Sequence, residues 1–157
     1  MGSVSGQDDD DFALFVQAAE PRLHRALAAK LGSEQGREAT AEALAYAWEH
    51  WDRLLAMANP VGYLYRVGAS RVRNRKVRIL FVQPAQDEPT VEPGLDRALL
   101  ALPGRQRVAV VLIHGYGWTS TEVAEVTGIK PSTVQTHLER GLARLRAELK
   151  VEGKERA

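Results

Sequence analysis

The sequence predicts an all-α protein made of two small helical lobes. Three observations carry this. Apolar residues recur at spacings of three and four through most of the chain, the period of a helix with one buried face. The one strand-like run, Ile79 to Val82, has no evident partner strand and fits better as packing for the helices before it. Between them and the second half, Gln83 to Gly94 holds three prolines and three acids, the composition of a linker. The predicted domains cover 9–80 and 94–151, joined by 81–93, with tails at 1–8 and 152–157.

Composition narrows the class. A chain of 157 residues holds one domain or two small ones, and 45% hydrophobic residues are enough for a core. There is no cysteine, which excludes disulfides and thiolate metal sites and fits a reducing cytoplasm. The start, MGSVSGQDDDDF, is polar and acidic, unlike a signal peptide or an anchor. No apolar run reaches membrane-span length, so no membrane insertion is expected. A net charge of +1 is modest for an autonomous DNA binder, but the charge is unevenly placed.

The elements follow in order. Asp8 to Asp11 either cap a helix start, where carboxylates are favoured, or lie in a solvated tail. Phe12, Phe15, Val16, Ala19, Leu23, Leu27 and Leu31 give a helix to Leu31, which Pro21 either divides or kinks. Ala41, Leu44, Ala45, Trp48 and Trp51 define a second helix from Glu34 or Arg37. Asp52 to Pro60 reads as a loop or broken helix, and Asn59-Pro60 marks the start of a third, Val61 to Arg78. Beyond the linker come helices at Leu95–Leu102, Arg105–Gly115, Thr119–Thr127 and Pro131–Val151.

The last two have the form of a helix-turn-helix. Gly128 suits the left-handed end of the first helix, and Pro131 suits the opening turn of the second. Val134, Leu138, Leu142, Leu145 and Leu149 form a narrow apolar stripe. Opposite it fall Ser132, Thr133, Thr136, His137, Arg140 and Arg144, all able to hydrogen-bond and none acidic. Such a helix fits the major groove, reading base edges with its N-terminal half and holding phosphates with its basic half. A solvated face of a non-binding bundle is the plainer alternative.

The first lobe has its own basic helix. Arg66 to Arg78 carries six basic residues and no acid, with Tyr63, Arg66, Ser70 and Arg73 on one face. Cations neutralise phosphates, and an aromatic ring offers a stacking surface to an unpaired base. A membrane-surface or merely solvated helix is the alternative.

Taken together, the order of parts resembles the sigma-70 class of bacterial sigma factors, most closely the small extracytoplasmic-function type. The resemblance covers about residues 10–151. LDRALLALPGRQRVAVVLIHGYGWTSTEVAEVTGIKPSTVQTHLERGLARLR is similar to the family's region 4. EATAEALAYAWEHWDR resembles region 2.2, and NPVGYLYRVGASRVRNRKVR resembles regions 2.3 and 2.4. The resemblance implies docking on RNA polymerase core, at the largest-subunit coiled coil and the flap. Glu38, Ala41, Glu42 and Trp48 would serve the coiled coil. It implies melting of the promoter −10 element by Leu54, Asn59, Tyr63, Arg66, Ser70, Arg73 and Asn74. It implies reading of the −35 duplex by Lys130, Ser132, Thr133, Gln135, Thr136, His137, Arg140 and Arg144. The linker would run through polymerase clefts. No cofactor is implied; an anti-sigma factor is a further expected partner, and the location would be the cytoplasm, at the nucleoid.

This chain departs from the family at several of those positions. Glu38 and Ala41 stand where an aspartate and a glutamine are usual, Ser70 and Asn74 where an asparagine and an aspartate are common. Gln135 and His137 replace a lysine and an arginine, trading charge for polarity. These changes imply an altered −10 preference and weaker phosphate contacts.

Enzyme chemistry finds no support in the motifs. His24, His50, His114 and His137 lack HExxH spacing, and Gly115-Tyr116-Gly117 is not followed by the lysine and serine or threonine of a phosphate loop. No metal site is expected. The rival readings are a polymerase-independent regulator that binds a palindrome as a dimer, and a sigma-like decoy for an anti-sigma factor.

Overall fold

The computed structural model describes residues 3–73 and 93–155. Among these the chain is all helical: α1 (Ser3–Leu31), α2 (Ser33–Glu49), α3 (Trp51–Leu55), α4 (Pro60–Arg73), α5 (Pro93–Ala101), α6 (Gly104–Val110), a π-helical turn (Val111–Gly115), α7 (Ser120–Thr127) and α8 (Pro131–Glu155). Ile79 to Val82, most of the predicted linker, and Asn74 fall outside the described residues.

The first half is a bundle of α1, α2 and α4, with α3 at a corner. α1 is longer and more continuous than the sequence implies. It begins at Ser3, within the expected tail, so Asp8 to Asp11 lie inside the helix instead of capping it. It also runs unbroken through Pro21. A mid-helix proline forfeits one hydrogen bond and crowds the preceding turn, at about 3 kcal/mol. The apolar stripe on both sides of it explains why the helix survives. Ala19 lies before the proline and Leu23, Ala26 and Leu27 after it, all buried on one face. Burial at helical period outweighs the local defect.

Between α2 and α3 the chain turns at His50, and α3 takes up the start of the segment expected as a loop. Its reason is Trp51 and Leu54, three apart and both buried. Trp51 meets Phe12 and Phe15 of α1 at ring-centroid distances of 5.2 Å each. Leu54, expected on a promoter-facing loop, is only 1% exposed and belongs to the core.

In the second half α5, α6 and α7 pack around α8. Val134, Leu138 and Leu145 of α8 are buried, with Leu142 and Leu149 partly covered, as the stripe predicts. α8 continues to Glu155, past the expected end. The buried apolar residues of both halves form one connected cluster, so the halves pack against each other.

Close packing of α1 on α2 depends on Gly36. A Cβ at that position would lie 2.5 Å from the Ala28 Cα and 2.6 Å from the Ala28 nitrogen. Those are backbone atoms, which cannot swing aside. Alanine is the better helix former by ~1 kcal/mol, but here the clash forces the two helices apart. Gly36→Ala should destabilise the chain by about 1–3 kcal/mol, read as a lower melting temperature by circular dichroism. An unchanged or higher melting temperature would contradict this packing.

Candidate nucleic-acid interface

The helix-turn-helix is built as its residues dictate. Thr119 caps α7: its hydroxyl accepts from the Glu122 amide at 3.1 Å, and the Glu122 carboxylate accepts from the Thr119 amide at 3.0 Å. This reciprocal box satisfies two donors that a helix start leaves open. At the other end Gly128 takes φ 73° and ψ 22°, and its amide donates to the Ala124 carbonyl at 2.9 Å. Any side chain there is strained, so the turn angle is fixed by the glycine. Pro131 then opens α8.

On α8 the face opposite the stripe is open. Lys130, Ser132, Thr133, Gln135, Thr136, Arg140 and Arg144 are all exposed. Gln135 also accepts from the Ser120 hydroxyl at 3.4 Å, which ties the two helices of the motif together. His137 stands apart. It is half-buried, and its Nε2 is buried without a hydrogen-bond partner. Burial, then the charges of Arg105 and Arg140, hold it below the usual histidine range. A neutral, partly buried imidazole therefore stands among the exposed polar residues of this face.

The first half presents a second polar face on α4 and the loop before it. Asn59 is the cap of α4: its Oδ1 accepts from the Gly62 amide at 3.0 Å. Arg66 and Ser70 are exposed, while Tyr63 is half-buried. The Tyr63 and Tyr46 hydroxyls are 3.2 Å apart, a bond that, with burial, raises the Tyr46 hydroxyl above its usual range. Tyr46 in turn stacks on His50 at 4.1 Å, and the Arg71 guanidinium sits 5.4 Å from its ring centroid. Arg73 ends α4, and Asn74 lies beyond the described residues.

Tyr46, which meets Tyr63, and His50 and Arg71, which meet Tyr46, are not singled out as site residues by the sequence. The signal is the spacing: Tyr46 and His50 are four apart, at the end of α2 and its C-cap, where helical side chains meet.

On α2, Ala41 is exposed, as are Glu38 and Trp48, with Glu42 half-exposed. Trp48 is 52% exposed and leans on Phe12 at 5.0 Å. A large aromatic left half in solvent beside carboxylates is an open contact surface. No group of three or more histidines or carboxylates is arranged to hold a metal among the described residues, and no described helix is long and apolar enough to cross a membrane.

The geometry thus defines an all-helical arrangement with a capped helix-turn-helix and a second exposed polar face on α4. Residues 94–145 match the family described as Sigma-70, region 4. Over 119 residues the chain is 34% identical to the RNA polymerase sigma-E factor of Streptomyces antibioticus and 33% identical to that of Streptomyces coelicolor. The alignments cover 68% of this chain, 66% of the first relative and 67% of the second. A solved structure, the sigma factor RpoE in complex with the anti-sigma factor NepR from Bartonella quintana, shares the fold. Its TM-score is 0.63 at 22% identity, covering 90% of this chain and 98% of that one. The chain belongs to the sigma-70 class of RNA polymerase sigma factors, of the small extracytoplasmic-function type.

Two outcomes follow from the local geometry. Thr119→Ala should lower stability by about 1 kcal/mol through loss of the cap, measurable by urea denaturation; no change would show that the box is not formed. His137 should titrate by NMR below 6.5, its ordinary value. The unfolded chain then binds that proton more readily than the folded one, so its contribution to stability falls as pH drops below 6.5 and is fully present above it. A midpoint above 6.5 would place the imidazole in solvent or beside a carboxylate.

Proposed function

We propose that this chain directs bacterial RNA polymerase core to a set of promoters, as a specificity subunit without covalent chemistry of its own. The observation that carries this is the open, acid-poor N-terminal face of α8, presented by a helix-turn-helix whose start and turn are both fixed. In this reading the exposed Lys130, Ser132, Thr133, Gln135 and Thr136 meet base edges of the −35 duplex, and Arg140 and Arg144 meet phosphates. His137 contributes shape and polarity on this face, not charge.

The first half supplies the second contact. Asn59, Tyr63, Arg66 and Ser70 form the face for the opened −10 strand, with Tyr46 and Arg71 enlarging its aromatic and cationic surface; by the family resemblance Arg73 and Asn74 serve the same strand. Unstacked bases cost a few kcal/mol each to expose, and rings and guanidinium groups offset that cost. Leu54 is buried in the core and takes no direct part in this face. Glu38, Ala41, Glu42 and Trp48 form the surface for polymerase, with the half-exposed indole as its anchor. The site of action is the cytoplasm, at the nucleoid, and an anti-sigma factor that covers these same faces is a natural antagonist.

Run-off transcription with core polymerase, on the DNA upstream of the chain's own gene, tests this. A defined transcript should appear only with the protein. Thr136→Ala should reduce promoter binding by about 5- to 150-fold, the worth of a base contact, and only at its own base position. Arg140→Ala should weaken all sequences alike and lower the salt slope by about 1. No transcript, and no co-purification with core, would discard the reading in favour of a dimeric regulator on palindromic DNA.

A further inference from the structure

The first half holds an aromatic stack that lies outside every motif of the sequence. The Tyr46 ring of α2 has two partners. The His50 ring stacks on it at 4.1 Å with planes 16° apart, and the Arg71 guanidinium of α4 sits 5.4 Å from its centroid. His50 is itself held. Its amide donates to the Tyr46 carbonyl at 3.0 Å, and its Nδ1 lies 3.0 Å from the same oxygen. A carbonyl only accepts, so Nδ1 carries the hydrogen. Tyr46 therefore has little freedom to turn. Its hydroxyl meets that of Tyr63 on α4 at 3.2 Å, with the two ring centroids 5.9 Å apart.

A bond between two phenols has a direction. The bond to Tyr63, then burial, holds the Tyr46 hydroxyl above its usual range against the pull of Arg53 and Arg71, as for a phenol whose proton is engaged. A guanidinium over the ring also strengthens that ring's O–H as a donor. Tyr46 is thus the donor and Tyr63 the acceptor. Tyr63 keeps its own hydrogen for a third group, since a phenol can accept and donate at once. Its hydroxyl makes no other hydrogen bond among the described residues. Tyr63 is half-buried, on the same face of α4 as the exposed Arg66 and Ser70.

We propose that Tyr46 is a positioning residue for strand capture: it holds the Tyr63 ring in place and leaves the Tyr63 hydroxyl as a donor to an acceptor atom of the opened −10 strand. The inference rests on the proposed promoter function and deepens it, because Tyr46 acts through another side chain. A loose tyrosine has to be immobilised when the strand arrives, at a cost its contacts must repay. In this stack the ordering is complete beforehand. The benefit falls on the step in which bases are already unstacked and not yet held. Initial binding belongs to α8 and to polymerase, and does not use it.

The test uses holoenzyme, with wild-type chain or Tyr46→Phe, on the DNA upstream of the chain's own gene. The dependence of opening rate on holoenzyme concentration separates initial binding from strand opening, and permanganate oxidation of unstacked thymines times the opening. Tyr46→Phe keeps the ring and its stack, and should open the promoter about 2- to 10-fold more slowly with initial binding unchanged. Tyr63→Phe should be at least as slow. Adding Tyr46→Phe to it should change nothing further, because Tyr46 works only through the Tyr63 hydroxyl.

Losses that multiply in the double variant overturn the positioning role, since Tyr46 then acts on the strand or the fold by itself. Opening at the wild-type rate by Tyr46→Phe, or a loss of initial binding equal to the loss of opening, overturns it too. Changing each −10 base in turn identifies the acceptor, and either result supports donation by Tyr63. A base acceptor confines the Tyr63→Phe loss to promoters keeping one particular base, whereas a phosphate acceptor gives it on all of them. Wild-type holoenzyme that makes no transcript fails the promoter function and takes this inference with it. Normal wild-type opening beside an unaffected Tyr46→Phe fails the inference alone.

Discussion

One side chain ties the molecule together. The Arg107 guanidinium donates to four carbonyls: Ala29 and Lys30 at the last turn of α1, and Leu100 and Leu102 at the α5–α6 junction. The last turn of any helix leaves carbonyls without partners and carries partial negative charge. A cation with five donors in a planar fork suits that place better than any other side chain. Burial lowers the Arg107 pKa somewhat, as expected for a charge taken partly out of water. That cost is accepted because every carbonyl it meets would otherwise be short of a donor. Tyr65 is buried nearby, and its hydroxyl is pushed well above the usual tyrosine range, so it stays protonated beside Arg107.

The consequence is a molecule whose halves communicate through helix ends. Arg107 closes α1, and Arg66 lies by the end of α7. Asn59 caps α4 with its oxygen while its nitrogen reaches the Glu125 carbonyl. Arg107 and Asn59 each have one partner within their own half and another across the boundary. Interfaces of that kind separate more readily than an apolar core cut in two, since water can take over each donor and acceptor. The connected apolar cluster sets the opposing cost.

Much of this was legible in the sequence, for identifiable reasons. The helix-turn-helix could be read because its signals are local: Gly128 for a left-handed turn, Pro131 for a helix start, and a stripe from Val134 to Leu149. Asn59-Pro60 announced α4 for the same reason. α1 misled because Pro21 is a strong local signal that burial of Ala19, Leu23 and Leu27 overrides. Leu54 misled because its burial depends on α3 docking under Phe12 and Phe15, a contact some forty residues away in sequence. Arg107, Glu125 and Arg22 carried no signal at all as sequence. Their roles arise only when the halves meet, and no spacing rule covers pairs such as Arg107 with Ala29. The inward turn of His137 was equally hidden, since helical period alone sets it on the polar face.

The π-helical turn at Val111–Gly115 sets the course of the chain into the helix-turn-helix. There the Tyr116 amide reaches back to the Val111 carbonyl at 3.2 Å, five residues earlier, and the Trp118 amide to Leu112 at 3.0 Å. The turn holds one more residue than an α-turn would. Since each α-helical residue advances the chain by about 100°, that surplus residue sets the direction in which the backbone leaves toward Thr119. Removing one residue between Val111 and Gly115 would restore a regular spiral and swing everything downstream around the axis. The aim of the whole helix-turn-helix is thus encoded in chain length at this spot, and side-chain chemistry there matters less to it than the number of residues.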